Sequence, residues 1–295
     1  MKKLKIIFNT TTQYWRYLWS QCSTALGLLL MLWGVLELYC KELPDIWGKV
    51  LAIAFILASI LYAFRQLFRH PDTLELEINK RTKLKIEKGD IFTLSADGVC
   101  VIPVNEYFDT HLGDGIINPR SLHGQLIVRF NGRENELRDM IDQSLSRKED
   151  LPNGRIRTMV PNLPQKRYPL GTCVRINDGE RLFMLVAISR FNEDEHVEVA
   201  AEEYPEVIRK MYNGIENLND GKTVYMPLVG SGISGYQLNE MQLLNTMIQS
   251  AHNAKTLAVT NGLHLCIYGD EMWNALNLNV IEYLYDSWKS LSKME

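Results

Sequence analysis

Residues 223–244 read Thr-Val-Tyr-Met-Pro-Leu-Val-Gly-Ser-Gly-Ile-Ser-Gly-Tyr-Gln-Leu-Asn-Glu-Met-Gln-Leu-Leu. The opening apolar run, ending at Val229, has the length of a buried strand. Gly230, Gly232 and Gly235 follow closely, and an amphipathic helical pattern then sets Met241, Leu244, Ile248 and Ala251 on one face. Glycines lack Cβ atoms, so successive backbone N–H groups can converge into an anion nest. The helix behind them directs its positive end to the same place. Ser231 and Ser234 add hydroxyls, Ile233 lies between them, and Tyr236 closes the loop. A plain tight turn is the competing reading, but the full strand–GSGISG–helix context favours a diphosphate site.

Outward from this stretch the same alternation recurs. Residues 98–105 (GVCVIPVN) have the continuous apolar character of a strand buried on both faces. TCVRIN and RLFMLVAIS are strands joined at Asp178-Gly179, and LHLCIYG is a further strand. Helical patterns cover NELRDMIDQSL, AAEEYPEVIRKMYNGIENL and the C-terminal WNALNLNVIEYLYDSWKSLS. Alternating strands and helices predict an α/β sandwich with a mixed central sheet. After the strand ending at Asn105 comes a second loop with Gly113, Asp114, Gly115 and Ile116. Both loops leave C-terminal ends of strands, the edge at which open α/β sheets bind ligands. Residues 70–82 read as a connector, and 146–169 as an insertion whose Arg155, Arg157, Lys166 and Arg167 fit a solvated loop.

The N-terminus has a different character. Cys22–Tyr39 and Ile46–Phe64 are apolar runs separated only by residues 41–45. Each nears the roughly 20 residues needed to span hydrocarbon. Residues 1–69 are therefore expected to carry a two-helix transmembrane hairpin, with helices at about 22–40 and 46–64. Lys2, Lys3, Lys5 and Arg16 precede it, and Arg65, Arg69, Lys80 and Arg81 follow. This charge bias places both termini, and the body that follows, in the cytoplasm. Glu37 and Lys49 are ionisable residues within the runs; they either pair across the hairpin or snorkel to the interface.

Composition sets further bounds. The net charge of −3 gives no basic field for nucleic acid. The five cysteines form no CxxC pair, which argues against a zinc site or a disulfide framework. No metal or cofactor is expected, and no catalytic group stands out.

Gly89-Asp90-Ile91, the strand VCVIPVN, the Gly113-Asp114-Gly115 loop and PLVGSGISGY together resemble a macro domain, over residues 83–295. The resemblance implies an ADP-ribose pocket. Asp90 would hold the adenine amino group and Ile91 would contact the adenine through its backbone. The loops Gly113–Ile116 and Gly230–Tyr236 would clasp the diphosphate, and Tyr268 would pack near the adenine. Hydrolytic macro domains carry Asn-Ala-Ala-Asn and a glycine run. Asn105 matches the first Asn, Phe108 stands at the position facing the distal ribose, and Asp114 interrupts the glycines. That implies binding without turnover, with Glu106, Asp109, His111 and Asp114 as polar candidates beside the distal ribose. A membrane-anchored ADP-ribosyl hydrolase and an ADP-ribose-binding scaffold are the alternatives.

Two N-terminal membrane helices fused to such a domain resemble the membrane effector of type II Thoeris anti-phage systems. In that family a TIR-domain partner consumes NAD to make a diffusible ADP-ribose-derived signal, such as a histidine conjugate. The resemblance implies a two-pass protein of the inner membrane that senses the signal, forms a homo-oligomer and damages the bilayer.

Overall fold

The computed structural model describes residues 12–39, 45–68, 71–112, 116–151, 164–192, 196–232 and 236–291. The chain divides into two compact units, Met1–Asp72 with Asn277–Glu295, and Thr73–Leu276.

The first unit opens with two long helices, α1 (Thr12–Tyr39) and α2 (Asp45–Phe68). They pack on each other, with the rings of Trp33 and Phe55 edge to face at 6.3 Å. Residues 40–44, most of the expected turn, lie outside the described residues, as does the Glu37 side chain expected to face Lys49. Both helices exceed the apolar runs, because neither 12–21 nor 65–68 contains a Gly or Pro to stop them. On α2, Ser59 and Ala63 are buried one turn apart. Ser59 satisfies its hydroxyl on the Phe55 carbonyl at 2.7 Å. Leu28, Met31, Ile53, Leu57 and Leu61 are exposed, an outer apolar surface suited to lipid. Among the described residues, Trp47–Gln66 is the one stretch long and apolar enough to cross a membrane.

The second unit is built on a seven-stranded mixed sheet. Its strands are β1 (Thr73–Asn79), β2 (Thr82–Lys88), β3 (Val99–Asn105), β4 (Cys173–Asp178), β5 (Arg181–Ser189), β6 (Val224–Pro227) and β7 (Leu263–Ile267). The spatial order is β1-β2-β7-β6-β3-β5-β4, parallel from β2 to β5 with antiparallel strands at both edges. The expected connector over 70–82 is thus corrected: it contains β1. Leu74, Leu76 and Ile78 are buried while Glu75 and Glu77 are exposed, the period of a one-sided strand. Glu75 and Glu77 face Lys85 and Lys83 in register, so the charges that suggested a linker are cross-strand partners.

Helices cover both faces of the sheet. α4 (Leu122–Arg129) and α5 (Glu134–Leu145) bury Leu126, Ile127, Leu137 and Ile141 against Ile102, Phe183 and Leu185. On the other face α6 (Tyr204–Leu218) comes so close to β4 that a Cβ at Gly214 would fall 2.4 Å from Cys173 Sγ. Pro205 sits in the first turn of α6, where a missing N–H breaks no helical bond. α7 (Glu240–Asn253) begins with a reciprocal Asn239–Gln242 capping box. The short α3 (Ile91–Leu94) and α8 (Asp270–Ala275) follow β2 and β7.

The single C-terminal helix expected from Trp273 is two helices. α8 ends before Leu276, and Asn277 starts α9 (Leu278–Leu291) by accepting the Val280 N–H on Oδ1 at 3.2 Å. The domain expected to run to 295 forms a compact unit that ends at Leu276; α9 groups with α1 and α2. Tyr283 of α9 packs edge-on against the buried Tyr17 at 5.5 Å, and Asn279 donates to the Gln66 carbonyl at 3.0 Å.

Candidate functional site

Among the described residues the β3–β6 ladder pairs Val99 with Val224 and Cys100 with Tyr225. Pro103 sits beyond those pairs, where its missing N–H breaks no bond to β6. The sheet opens at the C-terminal ends of β3, β6 and β7 into a cleft of about 610 Å³, within the range of small-molecule sites. The Asp90 turn, Ile116 and the Gly230–Gly232 loop border this one opening.

Asp90 lies on the cleft wall as the N-cap of α3. Its Oδ2 accepts from Thr93 N at 3.2 Å and from Thr93 Oγ1 at 2.7 Å. Both bonds use one oxygen, which leaves Oδ1 without a hydrogen bond among the described residues. Gly89 N is tied to the Ile267 carbonyl at 3.0 Å, so the turn is fixed to β7. Ile91 is buried beside it, and as the first residue of α3 its N–H has no helical partner. Tyr268, 74% exposed, stands on the rim.

The loop after β6 is pinned from behind. Gly230 has φ +86°, a conformation that favours glycine, and a Cβ there would press on Tyr236, Tyr204 and Leu243 at 3.1–3.3 Å. Tyr204 donates to the Val229 carbonyl at 2.7 Å and Tyr236 to the Ile188 carbonyl at 2.6 Å. Gly230, Ser231 and Gly232 line the cleft, while Tyr236 is fully buried and supports the loop from outside that lining. The Ser231 hydroxyl, expected as a ligand donor, donates instead to the Leu228 carbonyl at 2.7 Å. Ile233, Ser234 and Gly235 lie outside the described residues, as do Gly113, Asp114 and Gly115 of the other loop; Ile116, which follows them, lines the cleft.

Asn105 reaches the cleft, and its amide is held from within the protein. Nδ2 donates to Asp109 Oδ2 at 2.9 Å, and Oδ1 accepts from Tyr107 N and Asp109 N. The buried Glu106 accepts from Phe191 N at 3.2 Å. Phe108, expected beside the distal ribose, does not line the cleft. It is fully buried at φ +53°, edge-on to Tyr168 at 5.8 Å, with its carbonyl held by Arg138 at 3.0 Å. His111 is exposed and also lies outside the lining.

Several lining residues were missed in the sequence. Asn118 Oδ1 accepts Arg120 N at 2.8 Å, and Ser121 caps α4 through Gly124 N at 3.0 Å. This turn places Arg120 and His123 on the cleft wall. Ser121 ahead of Leu122, Leu126 and Ile127 is an N-cap before an apolar face, a signal that would have located α4. His123, 9% exposed, bonds through Nε2 to the Asp109 carbonyl at 2.7 Å. Burial holds its pKa below the ordinary value, against the opposing pull of that carbonyl. A carbonyl only accepts, so Nε2 carries the proton and Nδ1 is left as an acceptor. Phe191 and Val197, bridged as an antiparallel pair, add an apolar wall.

The cleft floor is chemically quiet. Cys266 lines it, and burial pushes its thiol well up; Cys100 behind it is pushed up to about 12. Neither is a thiolate at neutral pH. Among the described residues no His, Cys, Asp and Glu group could hold a metal.

Residues 84–268 match the family model described as Thoeris protein ThsA, Macro domain. The Thoeris protein ThsA of Bacillus amyloliquefaciens is 30% identical over 210 residues, covering 68% of this chain and 66% of that protein, just under two thirds of its length. Among solved structures, the Oceanobacillus iheyensis macrodomain with ADP is similar at TM-score 0.50 and 13% identity, covering 73% of this chain and 97% of that one. The same macrodomain with MES bound gives 0.50 and 14%, covering 73% and 98%. These likenesses establish the macro-domain fold.

Proposed function

The chain belongs to the Thoeris ThsA macro-domain family, and on that footing we propose that it is a sensor of an ADP-ribose-type nucleotide coupled to a membrane hairpin. The observation that carries this reading is the convergence on one cleft of Asp90, whose Oδ1 has no hydrogen bond among the described residues, and the Gly230–Gly232 loop. The first matches an adenine amino group and the second a diphosphate. ADP, named for one macrodomain of like fold, combines those two pieces.

Binding without turnover is the favoured mode. Hydrolysis needs a positioned base or nucleophile near the distal ribose. Asn105 is held by Asp109 and two backbone N–H groups, and the cleft-floor thiol is protonated. The chemistry is then supplied elsewhere, by a TIR-domain partner that makes the signal from NAD.

The output is the membrane hairpin, with α1 and α2 crossing the inner membrane and both termini in the cytoplasm. The long apolar stretch Trp47–Gln66 supports a membrane location, while the second crossing and the side of the termini rest on the charge bias of the sequence. Two helices enclose no lumen, so permeabilisation requires several chains. Ligand drives assembly if the assembled state binds it more tightly. Titration calorimetry of the full chain in detergent against ADP-ribose and its amino-acid conjugates tests the sensor. Absence of binding to every member of that series overturns it.

A further inference from the structure

Among the described residues that line the cleft, Arg120 is the one cation and Asp90 the one carboxylate. Arg120 is exposed and has no ion-pair partner among the described residues, whereas its backbone is held on both sides. Asn118 Oδ1 takes its N–H at 2.8 Å, and Gln125 Nε2 donates to its carbonyl at 3.0 Å. The guanidinium therefore projects from a fixed point immediately before α4. At the same place the Leu122 and His123 N–H groups are first-turn donors without helical partners. His123, nine-tenths buried yet on the cleft wall, brings Nδ1 with no partner among the described residues. A cation on an anchored backbone, first-turn N–H groups without helical partners and an unused polar atom on one wall form an arrangement that answers to an oxyanion with neighbouring hydroxyls.

We propose that Arg120 is the charge-reading residue of the cleft, binding an oxyanion of the nucleotide in addition to the backbone N–H groups of the Gly230 loop. The inference rests on the nucleotide-sensing reading. The oxyanion is either the diphosphate or a carboxylate attached to the distal ribose, since a guanidinium fork fits both.

Calorimetry of the full chain in detergent separates these sources, with adenosine, ADP-ribose and an amino-acid conjugate of ADP-ribose as probes. Arg120→Gln weakens ADP-ribose about tenfold if the guanidinium grips the diphosphate, and leaves adenosine unchanged. A tenfold loss confined to the conjugate assigns the carboxylate. In either case Arg120→Lys keeps the charge, loses the fork and gives a smaller loss. The salt dependence of binding also flattens in Arg120→Gln. Equal binding of all three probes by wild type and Arg120→Gln overturns the proposal while sparing the nucleotide reading. Failure of wild type to bind any probe overturns both.

Discussion

The Tyr236 hydroxyl donates to the Ile188 carbonyl at 2.6 Å, tying the end of the glycine loop to the last residues of β5. Ile188 itself lines the cleft, so the bond joins two walls of the site. Removing the hydroxyl leaves a buried carbonyl without that partner, a loss of about 1–3 kcal/mol. Tyr236→Phe should lower stability by this order in denaturant unfolding. It should also weaken ADP-ribose binding in calorimetry, although Tyr236 does not line the cleft. Undiminished affinity at reduced stability would show that the loop keeps its shape without the bond.

Gly230 and Gly232 make opposite demands. Gly230 has φ +86°, and a Cβ on it would meet three side chains at 3.1–3.3 Å, whereas Gly232 has open space around it. Gly230→Ala should cost at least about 1 kcal/mol through the left-handed backbone alone. Gly232→Ala should leave the unfolding midpoint within error and reduce ligand affinity by covering the N–H groups of the nest. If both variants unfold alike, the loop is not strained at Gly230.

Asp90 has two tasks that substitution can separate. Asparagine is as good an N-cap as aspartate, whereas alanine loses about 1 kcal/mol. Asp90→Asn should therefore keep full stability yet bind ADP-ribose about tenfold more weakly, the scale of a charge-assisted bond. Asp90→Ala should lose both. Full affinity in Asp90→Asn would show that the carboxylate serves α3 alone.

Much of this was legible in the sequence, for stated physical reasons. A strand buried on both faces reads as a continuous apolar run, so β3 and β5 stood out. Glycine loops flanked by strand and helix signalled the edge of the sheet at which ligands bind. β1 was hidden because its solvent-facing half is glutamate, and the paired lysines of β2 are visible only once register is known. Phe108 could be placed by motif position but not by direction. Its positive φ turns the side chain into the core. The Arg120 and His123 wall escaped because α4 is only two turns long, too short for periodicity to reveal.

His123 makes stability depend on pH. Burial holds its folded-state pKa below the ordinary value, so the unfolded chain binds the proton more readily. Its contribution is fully present above the unfolded pKa of about 6.5 and is lost as pH falls below it, toward the lower folded value. Denaturant unfolding at pH 7.5 and at pH 5.5, about one unit either side, should show wild type losing more stability than His123→Gln. Glutamine can still donate to the Asp109 carbonyl but does not titrate. Identical losses in the two proteins would assign the acid sensitivity to other groups.

The C-terminal helix provides the last prediction. Met272 of α8 lines the cleft, and a few residues later Asn277 caps α9, which holds Tyr17 of α1 through Tyr283 and the end of α2 through Asn279. The segment after β7 thus lines the cleft in one compact unit and, beyond Leu276, packs on both N-terminal helices in the other. If binding is to reach the hairpin, α9 is the element that must hold those helices together while it does so. Tyr283→Ala removes the ring from Tyr17, and Asn279→Ala frees the Gln66 carbonyl. The double variant should bind ADP-ribose with wild-type affinity, because it touches nothing in the cleft. Under the proposed ligand-driven assembly, growth in particle size by light scattering and leakage from reconstituted vesicles, each first established for wild type, should both be lost. An equal fall in affinity and assembly would mean that α9 is needed for the fold of the sensor and carries no separate signal. Wild-type assembly would mean that the hairpin needs no brace from α9.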